Sequence, residues 1–271
     1  MIKPDVIKEL QDMRYLEWSR IRASSGTAGS LLKSQEKGSG GTVFYKLSGY
    51  DPSRGIVGHE SVNEVIVDRL LTVLGIDHLN YRLIHALIEF DQNEQKTWLC
   101  ASHDFRTPGE SKLPLDDYYD LKKVRDESPM DFCKRMGWES YIYEMLVVDY
   151  LILNRDRHGA NIEVLYHPEG GSVRLAPLFD HGLSLLCTCL SEEALERFDV
   201  MKDLPVQSFV GSHSSLDNLS LIPKKKRPKL RELQKRDKAI LFKDLEDALS
   251  KEHLEKIWDM IWKRWNTYAS L

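Results

Sequence analysis

The chain has 271 residues, 42% of them hydrophobic, and a formal net charge of -4. That length suits one large domain or two lobes around a cleft, and that apolar content excludes global disorder. The charge excludes polyanion binding by bulk charge, no apolar run reaches the roughly 18 residues of a membrane span, and the N-terminus has no apolar signal core, so a cytoplasmic location is expected.

In chain order, residues 4–22 read as a helix, with Val6, Ile7, Leu10, Met13 and Ile21 near one face. Residues 23–41 carry two glycine–serine clusters around a short basic segment and read as a mobile loop between strands. Residues 42–47, T-V-F-Y-K-L, have strand composition, with Lys46 on the strand. A turn-rich stretch, 48–58, leads to an amphipathic helix over 59–74. Val62, Ile66, Leu70, Val73 and Leu74 mark its buried face, and Gly75 closes it. Residues 80–90 and 96–103 read as two strands joined by a turn at 91–94. Two prolines and a glycine in 107–117 place a lobe boundary there, giving an N-lobe of 1–106 and a C-lobe of 107–271.

The C-lobe reads as mainly helical. A long apolar helix spans 136–153, and a short one spans 192–202. A polar, serine-rich stretch covers 207–218. Residues 223–229, P-K-K-K-R-P-K, form a basic block. That block is expected to be a solvated linker, and it is the one place where nucleic acid would bind. Helices are expected over 238–249 and 251–268. In the last, Leu254, Ile257, Trp258, Ile261, Trp262 and Trp265 follow spacings of three and four, a core-packing stripe. Cys100, Cys133, Cys187 and Cys189 are scattered, with poor zinc spacing, and are expected as reduced thiols.

Chemistry concentrates in 149–184. Asn154-Arg155-Asp156-Arg157-His158 is closed by Asn161, and Asp180-His181-Gly182 follows the apolar run 175–179. Asp156 and Asn161 are five apart, the spacing of the kinase catalytic loop, and Asp180 follows a short hairpin later. Phosphoryl transfer needs a carboxylate to orient the attacking hydroxyl and hard oxygens for a divalent cation. A helix ending before Asp156 and two strands flanking a turn would bring these groups together. Taken singly, each motif also reads as a polar helix end or a turn. Upstream, Ser24-Ser25-Gly26-Thr27-Ala28-Gly29-Ser30 can cradle phosphates through backbone N–H groups, although it lacks the G-K-[ST] of a Walker A loop. Lys46 on an inward strand face needs an anion, because an unpaired buried charge is costly. Glu60 and Glu64 lie one turn apart on the next helix, and Glu64 is the favoured partner.

These motifs, in this order, resemble the HipA-like serine/threonine kinases. S-V-N-E-V-I-V-D-R-L-L-T-V-L-G-I (61–76) is similar to the family's helix after the lysine strand, and L-I-L-N-R-D-R-H-G-A-N (151–161) to its catalytic loop. The resemblance runs from about residue 24 to 184. It implies an α+β, two-lobed protein-kinase-like fold related to the phosphatidylinositol kinases, with ATP and Mg²⁺ in the cleft. It makes Asp156 the catalytic aspartate and Lys46 a holder of ATP phosphates. Ser25, Gly26, Thr27, Gly29, Ser30 and Glu64 complete the ATP site, and Asn161 and Asp180 take the metal. It also implies autophosphorylation in the loop, with Ser25 and Ser30 as first candidates and Lys33, Lys37, Arg20 and Arg22 as receivers of the phosphate. Asp-His-Gly stands where a protein kinase has D-F-G. The short lead-in to the loop suggests that the extra N-terminal subdomain of full-length toxins is absent, and a separate partner chain can supply such a region. The family includes the toxins of toxin–antitoxin systems. The main expectation is therefore a protein serine/threonine kinase. The alternatives are a phosphoinositide or small-molecule kinase of the same fold, or a nucleotide-binding pseudokinase acting as an interaction module.

Overall fold

The computed structural model describes residues 5–21 and 28–271. Its N-terminal region is a six-stranded sheet in the order β1-β7-β8-β4-β3-β2. The strands are β1 (Val6–Asp12), β2 (Ser19–Ile21), β3 (Ala28–Gly38), β4 (Gly41–Lys46), β7 (Tyr81–Phe90) and β8 (Asn93–His103). Between them lie the small hairpin of β5 (Tyr50–Asp51) and β6 (Gly55–Ile56), and the helix α1 (Glu60–Leu74). β1 runs parallel to β7, and the other neighbouring pairs are antiparallel. At the β7–β8 turn Asp91 and Gln92 have φ of 54° and 62°, the left-handed pair of a type I′ hairpin.

Two readings of this region are corrected. Residues 4–22 hold β1 and β2 rather than a helix. The edge of β7 offers β1 a ladder, with Leu83 N donating to Asp5 O at 2.7 Å and Met13 N to Leu87 O at 2.8 Å. Leu10, which a helix would have buried, is exposed. Within 23–41, residues 28–38 are strand rather than loop. Leu31 and Leu32 are buried, and β3 pairs with β4 from Lys33↔Lys46 to Gly38↔Gly41. In both places tertiary pairing overrides local composition.

α1 lies against β7 and β8 and is buried on nearly every side. Val65, Ile66, Leu70 and Leu71 are fully buried, and each such side chain contributes roughly 1.5–3 kcal/mol. Gly75, at φ 77°, ends the helix in a left-handed cap that a side chain would strain.

The C-terminal region is mainly helical. β9 (Ser111–Pro114) pairs with β11 (Glu163–Tyr166), which pairs in turn with β12 (Val173–Leu175). Helices α2 (Leu115–Lys122) and α3 (Pro129–Arg135) precede α4 (Glu139–Ile152), which is buried without interruption from Met145 to Ile152. Leu153, at φ 51°, terminates α4 and releases the chain into β10 (Asp156–Arg157), which pairs with β13 (Gln207–Ser208). α5 (Glu192–Arg197), α6 (Ser215–Leu219), α7 (Lys238–Leu241) and α8 (Lys251–Ser270) complete the order.

α8 buries Ile257, Ile261 and Trp265, and Trp258 stacks on Trp262 at 5.5 Å, so its aromatic stripe is packing. Two helices are shorter than expected. α5 stops at Arg197, where Phe198 turns extended, and beyond it the buried Arg264 takes the carbonyls of Val200 and Lys202 at 2.9 and 2.8 Å. α7 stops at Leu241 because Arg69 takes the carbonyls of Leu241 and Lys243 at 2.9 and 2.7 Å. The basic block is exposed or half-buried, and its Lys226 pairs with Glu139 at 2.7 Å. The four cysteines are free thiols, all buried. Among the described residues no helix is long and apolar enough to cross a membrane.

Candidate active site

Lys46 ends β4 opposite Lys33 on β3 and Cys100 on β8. Directly opposed residues share a face, so two lysines stand side by side, an arrangement that is unfavourable without anions. Two carboxylates answer it. Lys46 Nζ lies 2.6 Å from Glu64 Oε1 and 2.7 Å from Asp180 Oδ1, and Lys33 Nζ lies 3.8 Å from Asp180 Oδ2. Burial opposes the charge on Lys46, but Asp180 and Glu64 outweigh it and hold its pKa well above the usual lysine value. Glu64 is the partner taken from α1. Glu60 turns instead to the backbone and accepts from Gly49 N at 2.9 Å. The second oxygen of Glu64 accepts from His181 N at 2.9 Å. Asp180 has a left-handed φ of 60°, and its N–H donates to Tyr81 Oη at 3.3 Å. His181 is fully buried, and burial, with Arg157 and Lys46 also acting on it, pushes its pKa well below the usual value.

Asp156 sits just beyond the end of α4. Its N–H donates to Asn154 Oδ1 at 3.2 Å, and Asn161 Nδ2 donates to Asp156 O at 2.7 Å and to Asp156 Oδ2 at 3.1 Å. His158 Nε2 stands 3.2 Å from Asp156 Oδ1. The Asp156 side chain keeps 23% of its surface exposed, so an acceptor hydroxyl can reach it. Beneath the loop lies Arg157, 1% exposed. Its guanidinium binds Asp149 of α4 at 3.1 Å and donates to Asn161 O at 3.2 Å and Phe179 O at 2.9 Å. One buried cation therefore ties together the end of α4, the Asp156–Asn161 loop and the residue before Asp180. Burial works against the charge on Arg157, and Asp149 more than restores it.

The fold has a solved counterpart. The crystal structure of the Helicobacter pylori proinflammatory kinase CtkA superposes with a TM-score of 0.60 at 16% identity, over 93% of each chain. The chain has that kinase's fold. A complex of HipA, HipB and operator DNA from a Shewanella oneidensis MR-1 toxin–antitoxin system is also found. Its TM-score is 0.41 at 14% identity, over 93% of this chain and 58% of that one. No protein-family model matches the chain, and no curated protein matches it.

The oxygen donors present could hold a hard divalent cation. Among the described residues no three His, Cys, Asp or Glu side chains form a ready-made cage. Mg²⁺ needs none, since it is commonly held by one or two protein oxygens together with substrate phosphates. Asp180 supplies a carboxylate. The amide of Asn161 spends its nitrogen on Asp156, so its oxygen is the atom that could face a cation. Of the expected nucleotide-loop residues, Ser25, Gly26 and Thr27 lie outside the described residues, and Gly29 and Ser30 fall in β3.

Sequence reasoning left several groups without a place in the site. Arg157 was legible in principle, because Asp149 in an apolar helix calls for a buried cation. Lys33 was read only as a receiver of loop phosphate, and the β3–β4 register that sets it beside Lys46 was hidden by the loop reading. Asn63 and Tyr81 looked like members of an amphipathic helix and a strand.

Proposed function

We propose that this chain is an ATP-dependent kinase that transfers the γ-phosphate to a protein serine or threonine hydroxyl, in a cleft between lobes 1–106 and 107–271. The observation that carries the reading is Lys46 held between Glu64 and Asp180, with Phe179, the residue before Asp180, tied through Arg157 to the Asp156–Asn161 loop. Lys46 would bind nucleotide phosphates, oriented by Glu64. Asp156 would orient the acceptor hydroxyl and take its proton as the new O–P bond forms and the bond to ADP breaks. Asn161 and Asp180 would hold Mg²⁺, which when bound neutralises charge on the transferring phosphate. Ser25, Gly26, Thr27, Gly29 and Ser30 would cover the phosphates, with Ser25 or Ser30 as sites of self-modification.

Radiolabelled ATP and Mg²⁺, with and without cell extract, test the reading. Label on protein is expected. Label on lipid or a small molecule would move the acceptor class. Tight ATP binding with no label anywhere would leave an interaction module. Peptide mass spectrometry of the same sample should find phosphate on Ser25 or Ser30, and none in Asp156→Ala. The sequence resemblance adds a toxin role and a separate partner chain to the reading. Growth arrest on expression and co-purification of a partner are the corresponding observations, and their absence would remove those two elements alone.

A further inference from the structure

The segment that carries Asp180 is bonded from the N-terminal side of the molecule. His181 N donates to Glu64 Oε2 at 2.9 Å, and Leu79 N donates to Leu178 O at 2.8 Å. A third tether is Asn63 of α1, 0% exposed, which makes two bonds. Its Nδ2 donates to Gly182 O at 3.1 Å and to Ser184 O at 3.0 Å. Both partners are carbonyls, which only accept, so the chemistry fixes which end of the amide faces them. Gly182 is a glycine for the same approach. A Cβ there would stand 3.1 Å from Glu60 Cβ and 3.3 Å from Glu60 O, so a side chain would press the segment off α1. Asp180 itself is held in a left-handed conformation that a non-glycine residue keeps only with outside support.

We propose that Asn63 is a positioning residue for metal-dependent nucleotide binding. It clamps residues 182–184 to α1, and so keeps the Asp180 carboxylate in register with Lys46 and Glu64. The inference rests on the kinase reading of the site. The segment is also bonded from the C-terminal side, through Arg155 N to Leu183 O at 3.1 Å and Leu185 N to Ile152 O at 2.6 Å. Loss of Asn63 therefore leaves the chain path in place and frees Asp180 to drift from the lysines. α1 and Asp180 form one bonded unit, and a displacement of the helix carries the metal ligand with it.

The test compares wild type with Asn63→Leu, which removes the donors at similar volume. If that variant does not fold, Asn63→Ser, smaller and still polar, carries the same comparison. The first readout needs no ligand: hydrogen exchange at the amides of Asp180 and His181, expected to be faster in the variant. The second is calorimetric binding of a non-hydrolysable ATP analogue across a Mg²⁺ titration. Supporting groups of this kind typically alter metal affinity about 10–100-fold, and the Mg²⁺ requirement of the variant should rise by that order while metal-free binding is unchanged. An unchanged Mg²⁺ requirement in a folded variant overturns the proposal, as does unchanged exchange. If wild type binds no nucleotide at all, the kinase reading fails instead, and the exchange result still decides whether Asn63 holds the segment.

Discussion

At Lys46, burial alone would drive the ammonium toward its neutral form, and the carboxylates of Asp180 and Glu64 reverse that. On the proposed kinase reading, a cation fixed in this way would be preorganised for phosphate oxygens and would cost no reorganisation when they arrive. Asp156 has a different setting: it is reachable from solvent and held by an amide rather than by a lysine. The two aspartates should therefore fail differently. Asp156→Ala should cut phosphate transfer by about 10²–10⁴-fold, the usual worth of a positioned acid–base group, with nucleotide affinity largely kept. Asp180→Ala should instead weaken Mg²⁺-dependent nucleotide binding, measured by calorimetry with and without the metal. Transfer near the wild-type rate in the first variant, or unchanged Mg²⁺ dependence in the second, would reassign the residue. Lys46, Glu64 and Asp180 could be picked out of the sequence because each sits at a marked position: on a strand of apolar composition, one turn into a helix, after an apolar run. Asn63 acts through backbone carbonyls, which leave no trace in side-chain patterns, and Arg157 is marked in the sequence only by Asp149 in an apolar helix.

At the scale of elements, α1 shows why a helix with so many charges can be buried. Glu60 caps Gly49 N, Glu64 holds Lys46, Asp68 accepts from Tyr81 N at 3.0 Å, and Arg69 takes two carbonyls and Asp5. Every charge has a partner supplied by a different element, so the helix is a hub rather than an amphipathic surface helix. Arg69→Met should cost about 2–3 kcal/mol in urea unfolding, since it leaves the Leu241 and Lys243 carbonyls without their charged donor. A loss within experimental error would mean that water replaces the guanidinium. The helix itself was legible from Val62, Ile66, Leu70 and Gly75. The strands β1 and β3 were not, because residues 4–22 place apolar side chains at helix-compatible spacings and residues 28–38 lie in a glycine–serine context. Only the ladders of β7 and β4 decide them; β7 is distant in sequence from β1, whereas β4 follows β3 directly and shows itself only once the two are paired. α7 was over-read for a related reason, since its carbonyls are claimed by Arg69 from far up the chain.

At the scale of the whole molecule, two histidines stand where the N-terminal and C-terminal regions meet, and they titrate in opposite senses. His78 bridges to Leu178 by backbone pairing, and its ring binds Asp68 at 2.7 Å. Burial lowers its pKa, but the hydrogen bond to Asp68, helped by the Ile76 carbonyl and the charges of Asp68 and Asp77, leaves it above the ordinary 6.5. Its contribution to stability is thus fully present below 6.5 and is lost as pH rises through the folded value. His59 precedes α1 and packs edge-on against His253 of α8 at 5.3 Å. Burial, with the neighbouring His253, lowers its pKa from 6.5 to about 4, against a smaller opposing effect of the Leu186 backbone. Here the unfolded chain takes up the proton first, so stability is full above 6.5 and falls as pH drops toward about 4. The two windows do not overlap, and each can be assigned by one variant. From the ordinary histidine value down to about pH 5, His59 should account for a loss of about 2 kcal/mol. His59→Phe, which keeps a ring against His253, should remove that part of the acid-side slope in thermal or urea unfolding. His78→Gln should flatten the slope on the alkaline side of 6.5 and leave the acid side as it was. If both variants keep the full pH profile of the wild type, the junction is held together by packing alone, and neither ring charge contributes to it.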